Sequence, residues 1–224
     1  MDVSRQSTIS DKSENRGEGG AGEKGPRART RRLMLETASR LMQAGATPSV
    51  SEVAEAAEVS RATAYRYFPS QAALVQAVVD EALGPILSWR SKSKDAERRV
   101  AALFDTAMPR IDAFEATFKA ALKLSLDHWA RGQAGTLGAE PKLARGHRKD
   151  LLAEAILPLK DVLPPRAFRR LTQALSLVFG VEAIVVLKDM WGLDGAETLS
   201  VAQWTARALV RAALAEAGGT PPDV

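Results

Sequence analysis

Apolar residues recur at helical spacing almost from the first periodic stretch of the chain. Met34, Leu35, Ala38, Leu41 and Met42 fall at i, i+1, i+4, i+7 and i+8, which predicts a helix over about 28–44, stopped at Gly45. Ser49, with Glu52 three residues on, forms a Ser-x-x-Glu capping signature. The helix it opens carries Val50, Val53, Ala54 and Ala57 on one face. Glu58-Val59 makes a short turn, and Ser60 caps a helix of only two turns, Arg61 to about Phe68. Pro69-Ser70 ends that helix and starts a fourth, with Leu74, Ala77, Val78 and Glu81.

Beyond residue 90 the spacing predicts helices at about 95–107, 110–131, 143–160, 165–189 and 196–217. Turn formers at 132–141, Pro164-Pro165 and Gly192-Leu193-Asp194-Gly195 separate them. No strand alternation and no fixed repeat is visible, so the predicted class is all-α. Residues 1–26 are polar, rich in Gly, Ser, Glu and Lys, and predicted to be a disordered tail; 218–224 read as a second flexible tail. The division expected between them is a three-helix domain at 27–75 and a larger helical domain at 76–217.

Composition narrows the function classes. With 46% hydrophobic and 26% charged residues, the 224-residue chain reads as an ordinary soluble globular protein. It contains no cysteine, which removes thiol nucleophiles, thiolate metal sites and disulfides and suits a reducing cytoplasm. Its two histidines, without metal-ligand spacing, a nucleophile elbow or a Gly-rich phosphate loop, argue against an enzyme and give no reason to expect a metal or cofactor. No apolar run is long enough for a membrane span or a secretory signal. The net charge of +4 is concentrated: Lys24 to Phe68 holds eight basic residues against four acidic ones, an attractive surface for phosphate.

Three short helices with a tight turn before a two-turn helix is the geometry that lets one helix enter a major groove. The segment 49–74, through Val53-Ala54, Ala57, Val59-Ser60, Thr63, Tyr65, Tyr67-Phe68-Pro69-Ser70 and Leu74, closely resembles the DNA-binding domain of the tetracycline-repressor (TetR) family, and the resemblance covers about 28–75. It implies that Arg61, Ala62 and Thr63 open a recognition helix facing base edges, and that Tyr65, Tyr67, Ser49 and Ser51 touch the phosphate-sugar backbone. Arg29 and Arg31, within the basic run 27–32, are candidate phosphate or minor-groove contacts. Two positions depart from the pattern. Glu58 stands where the family has a turn glycine, and Gln71 where it has a phosphate-binding lysine. These two residues keep open a second reading, a helical adaptor that has lost specific DNA binding.

The resemblance further implies regulation of transcription, with repression relieved by a small molecule, in a bacterial cytoplasm at the nucleoid. It also implies a homodimer through the last two long helices, about 165–189 and 196–217, on a palindromic double-stranded operator. The second half of 171–190 is apolar nearly all round, and Ala202, Ala206 and Ala213 would allow close helix approach, which suits such pairing. For the pocket, the large or polar residues Trp89, Phe104, Met108, Phe118, His128, Trp129 and Glu182 are candidates, and an apolar or aromatic effector fits them.

Overall fold

The computed structural model describes residues 25–139, 141 and 146–218, and every regular element among them is helical. Most of both predicted tails, 1–24 and 219–224, lies outside the described residues. The order is α1 (Pro26–Gln43), α2 (Val50–Ala56), α3 (Arg61–Tyr67), α4 (Gln71–Leu83), α5 (Ala96–Ala113), α6 (Glu115–Gln133), α7 (His147–Ala155), α8 (Pro165–Leu175), α9 (Val181–Ile184) and α10 (Gly195–Ala217). Short 3-10 turns follow α4 and α7, and α9 runs on as a π-turn through Val185–Met190.

Two apolar cores organise these helices. The first joins Met34, Leu35, Ala38 and Met42 of α1 to Val50, Val53 and Ala54 of α2, Ala64 and Phe68 at α3, and Leu74, Val75 and Val78 of α4. Ala120, Ala121 and Leu124 of α6 close it from the other side. The second core gathers α5, α7, α8, α9 and α10 around Phe104, whose ring meets that of Phe179 at 5.1 Å. Its edge is Ala82 and Leu83, also from α4. α4 therefore crosses the boundary at 75–76 that the sequence suggested and contributes side chains to both cores.

Three helix boundaries differ from those predicted. The first helix starts at Pro26 rather than about 28, because Pro26 at N1 needs no amide partner, so the basic run 27–32 lies wholly in its first two turns. α5 continues through Pro109 to Ala113 instead of ending near 107. Pro109 is exposed, so the missing bond falls on the solvent side while Phe104, Ala107, Met108 and Ile111 hold the buried face. The helix predicted over 165–189 is broken between Leu175 and Val181. There Leu177 turns out to solvent, Phe179 turns in, and Gly180 takes φ 105.

Arginines fill the places where helices end inside the body. The four last carbonyls of a helix have no partner within it. Arg99, 4% exposed, donates to the carbonyls of Glu154 and Ala155 at the end of α7 and to the Glu154 carboxylate at 2.8 Å. Arg110 donates to the carbonyls of Glu81 and Ala82 at the end of α4. Arg148 donates to the Ser176 carbonyl after α8 at 3.1 Å and to Glu182 in the first turn of α9. Gly84 and Gly180 make room for two of these groups: an added Cβ would stand 2.9 Å from Arg110 Nη2 and 2.5 Å from Arg148 Nη2.

A charge network ties the π-turn to the α5–α6 corner. Lys188 Nζ lies 2.6 Å from both Asp112 and Glu115, and Lys119 Nζ lies 2.6 Å from Glu115 and 2.7 Å from Asp189. Burial alone would raise the Glu115 carboxyl, but hydrogen bonds from Lys119 and Lys188 outweigh it and hold it below the ordinary carboxylate value.

Removing Arg99 leaves Glu154 and two helix-end carbonyls without their partner. Arg99→Ala is expected to cost about 3 kcal/mol of stability, read as a lower urea midpoint with an unchanged slope. A loss below about 1 kcal/mol would show that water replaces the guanidinium at no cost.

Candidate nucleic-acid interface and effector cavity

The turn between α2 and α3 is set by three serines at helix starts. Ser49 accepts the Glu52 amide at 3.2 Å while its own amide donates to the Glu52 carboxylate at 2.7 Å, completing the capping box. Those bonds hold the Glu52 carboxyl below its ordinary value. Ser60 and Ser70 accept from Thr63 and Ala73 in the same way. Between α2 and α3, Glu58 adopts φ 55, the left-handed conformation that normally calls for glycine.

α3 buries Ala64 and seats Phe68 beneath it, which turns the opposite face outward. That exposed face carries Arg61, Ala62, Tyr65 and Arg66 at i, i+1, i+4 and i+5. Arg66, not singled out in the sequence, belongs to it by this spacing. Tyr65 is 46% exposed and its hydroxyl lies 3.3 Å from Ser51 Oγ, so α2 and α3 present these two hydroxyls together. Thr63 is half-buried and accepts from the Ser60 hydroxyl at 2.9 Å.

Other candidates have prior commitments. Tyr67 packs partly against the first core, with the Arg66 guanidinium 5.6 Å from its ring centre. Ser49 spends its amide and hydroxyl oxygen on the cap, beside an ionised Glu52. Gln71 donates to the carbonyls of Thr47 and Pro48 at 2.9 and 3.1 Å, which fastens α4 to the α1–α2 loop. Arg31 stacks 5.7 Å from the Phe68 ring, next to the end of α3, while Arg29 is exposed on α1.

A cavity of about 700 Å³ lies between the two cores. Gln76, Val79 and Leu83 of α4 form one wall, and Ile111, Phe118, Ala121 and Leu122 of α5 and α6 another. Of the pocket residues named from the sequence, Phe118 and Glu182 line it. Phe104 and Met108 are instead wholly packed in the second core, and Trp89 lies beneath the Arg99 guanidinium at 5.9 Å. His128 is buried away from the cavity lining, and Trp129 is 66% exposed on α6. Helical period alone cannot separate a side chain facing a void from one facing another helix, and that is why Gln76, His147 and Arg148 went unremarked.

Residues 34–78 match the family model described as bacterial regulatory proteins, tetR family. Over that segment the chain is similar to that family. The matched segment runs from α1 to α4, from the first buried methionine to the cavity wall, and supports a DNA-binding role in transcription regulation. The fold of the whole chain is similar to the crystal structure of a TetR transcriptional regulator from Rhodococcus sp. RHA1. The two share 19% identity, with a TM-score of 0.52 over 83% of this chain and 97% of that one. No curated protein matches the chain. No helix of the described residues is long and apolar enough to cross a membrane.

The strain at Glu58 is separable from the exposed α3 face. Glu58→Gly is expected to raise stability by up to about 1 kcal/mol in urea denaturation while leaving DNA affinity within twofold. A destabilised variant would mean that the carboxylate makes a contact outweighing the backbone cost.

Proposed function

We propose that this regulator is a ligand-responsive repressor that binds a palindromic double-stranded operator as a homodimer, in the bacterial cytoplasm at the nucleoid, and has no enzymatic role. The observation that carries the reading is the shared use of α4. Leu74, Val75 and Val78 anchor the helix-turn-helix core, Gln76, Val79 and Leu83 line the cavity, and Ala121 belongs to both the cavity wall and that core. A molecule in the cavity therefore bears on the helix that carries the DNA-binding unit, and binding one placement of α4 better than another shifts the population between them.

Pairing of two copies is supported by the apolar side chains left outside. Met190 and Trp191 after the π-turn are 74% and 73% exposed, and Trp204 on α10 is 70% exposed. Val186 and Val201 lie on the same two packed elements, and exposed apolar groups so grouped mark an interaction surface. A two-fold pair would set the two recognition helices about 34–36 Å apart, or a multiple of that, matching successive half-sites.

In this reading Arg61 reads a base edge, with Ala62 and Thr63 beside it. Tyr65 with Ser51 holds the phosphate backbone, supported by Tyr67 and Ser49, and Arg29 and Arg31 meet phosphates or the minor groove. The effector is a small apolar or aromatic molecule. A helical adaptor without specific DNA binding is the competing reading, favoured by Glu58 at the strained turn and by Gln71, whose amide donors are already spent on Thr47 and Pro48.

Fluorescence anisotropy with the promoter region beside the protein's own gene tests these roles. Arg61→Ala should lose about 1–3 kcal/mol on that DNA and little on random DNA, whereas Tyr65→Phe should weaken both alike. Equal losses on the two DNAs for Arg61→Ala would remove its base-reading role. No binding by folded protein at low salt would favour the adaptor.

Light scattering after size exclusion tests the pairing. Trp204→Glu should shift the protein from dimer to monomer, and a dimer of undiminished affinity in that variant would place the interface elsewhere.

A further inference from the structure

The cavity has one apolar side and one charged end, where the described lining residues include three basic side chains and one acidic one. Val79, Leu83, Ile111, Phe118 and Leu122 supply the apolar side. The other end is lined by His147, Arg148 and Lys149, the first turn of α7, with Glu182 as the acidic residue facing them. His147 lies 2.8 Å from Asp80, behind the lining. Arg148 pairs with Glu182, and Lys149 is exposed and makes no ion pair among the described residues. Within the lining it is the base without an acid of its own, at the start of a helix whose cap residue, Gly146, offers no side chain to the first-turn amides and whose first-turn acid, Asp150, lies outside the lining. The helix dipole adds positive potential at the same place.

The Arg148 guanidinium reaches the cavity from the break in the α8–α9 segment. It bonds Ser176 and Glu182 from its two terminal nitrogens and lies against Gly180, where any side chain would collide with it. A guanidinium offers five donors in a fixed fork, so a second carboxylate can share it. On the α4 wall, Gln76 donates to Asp80 at 2.6 Å, while its Oε1 is buried with no hydrogen-bond partner. That acceptor suits a hydroxyl or amide on the occupant.

Resting on the reading of this cavity as an effector site, we propose that the effector is an apolar carboxylate. Its anionic head sits on Arg148 and Lys149 at the start of α7, and its body lies along Val79, Leu83, Ile111, Phe118 and Leu122. The head competes with Glu182 and the Ser176 carbonyl for Arg148, so occupancy acts on the break between α8 and α9. A donor on the body reaches Gln76.

Decanoate, decan-1-ol and decylamine share one apolar body and differ in the charge of the head. Calorimetry and thermal melting of the full chain with each should give tightest binding for decanoate, by about tenfold over the alcohol, the scale of one charge-assisted hydrogen bond. Lys149→Gln and Arg148→Gln should each reduce that preference, and Lys149→Arg should keep most of it. Because Arg148 also caps α8, the exposed Lys149→Gln keeps the test open if Arg148→Gln fails to fold.

Tighter binding of decylamine or decan-1-ol overturns the carboxylate while leaving an effector site in place. A decanoate preference untouched by either variant overturns the assigned position of the head. Absence of binding by all three overturns the proposal. Anisotropy on promoter DNA in the same samples separates the two readings: a probe that binds the cavity but leaves DNA affinity unchanged counts against ligand control, not against the carboxylate.

Discussion

Helices that stop inside a protein leave carbonyl oxygens without water or partner, and this fold depends on meeting that demand with arginine. Arg110 closes α4, Arg99 closes α7 and Arg148 closes α8, each by donating to the last carbonyls of a helix on another part of the chain. An unsatisfied buried carbonyl costs on the order of 1–3 kcal/mol, a large share of a domain's net stability. Each guanidinium satisfies such groups while keeping its charge near a carboxylate or the negative end of a helix dipole. Two glycines with positive φ, Gly84 and Gly180, lie directly against these side chains and leave them the room.

This constraint decides what the helix-turn-helix is attached to. α4 leaves the first core at Val78 and enters the second at Ala82, and Arg110 fixes its far end to α5. At the near end, Gln71 ties it to the α1–α2 loop. A helix held at both ends moves as a rod, so a side chain pressing on Gln76, Val79 or Leu83 is felt at Leu74. The position that departs from the family pattern at Gln71 thus has a structural use: an amide makes two bonds to backbone carbonyls where a lysine would project a charge.

How much of this the sequence discloses follows from the range of the forces involved. The caps at Ser49, Ser60 and Ser70 and the faces of α1, α2 and α4 are local, so spacing alone revealed them. The strained turn at Glu58 was legible for the same reason, since one residue between two capped helices has few conformations to choose from. Arg99, Arg110 and Arg148 bond carbonyls 56, 28 and 28 positions away, and in sequence they read as ordinary surface charge. The continuation of α5 past Pro109 and the break at Gly180 depend on such distant partners, so a local rule misplaces both. The cavity was missed in part because Phe104 and Met108 have the same period and polarity as Phe118, and only packing tells a lining residue from a core one.

Breaking the penultimate helix solves a problem that a straight helix would leave. A continuous helix over 165–189 would have to bury every face of its apolar second half at once. The break turns Phe179 into the core against Phe104 and leaves Met190 and Trp191 outside, so one apolar segment serves both a core and a surface. At the break the Ser176 carbonyl is met by Arg148, which is also a wall of the cavity. The lysine network of Lys119 and Lys188 then holds the π-turn against the α5–α6 corner, so motion at the break has a fixed pivot beyond it. The end of α8, the first turn of α9 and the cavity wall thus meet at a single guanidinium.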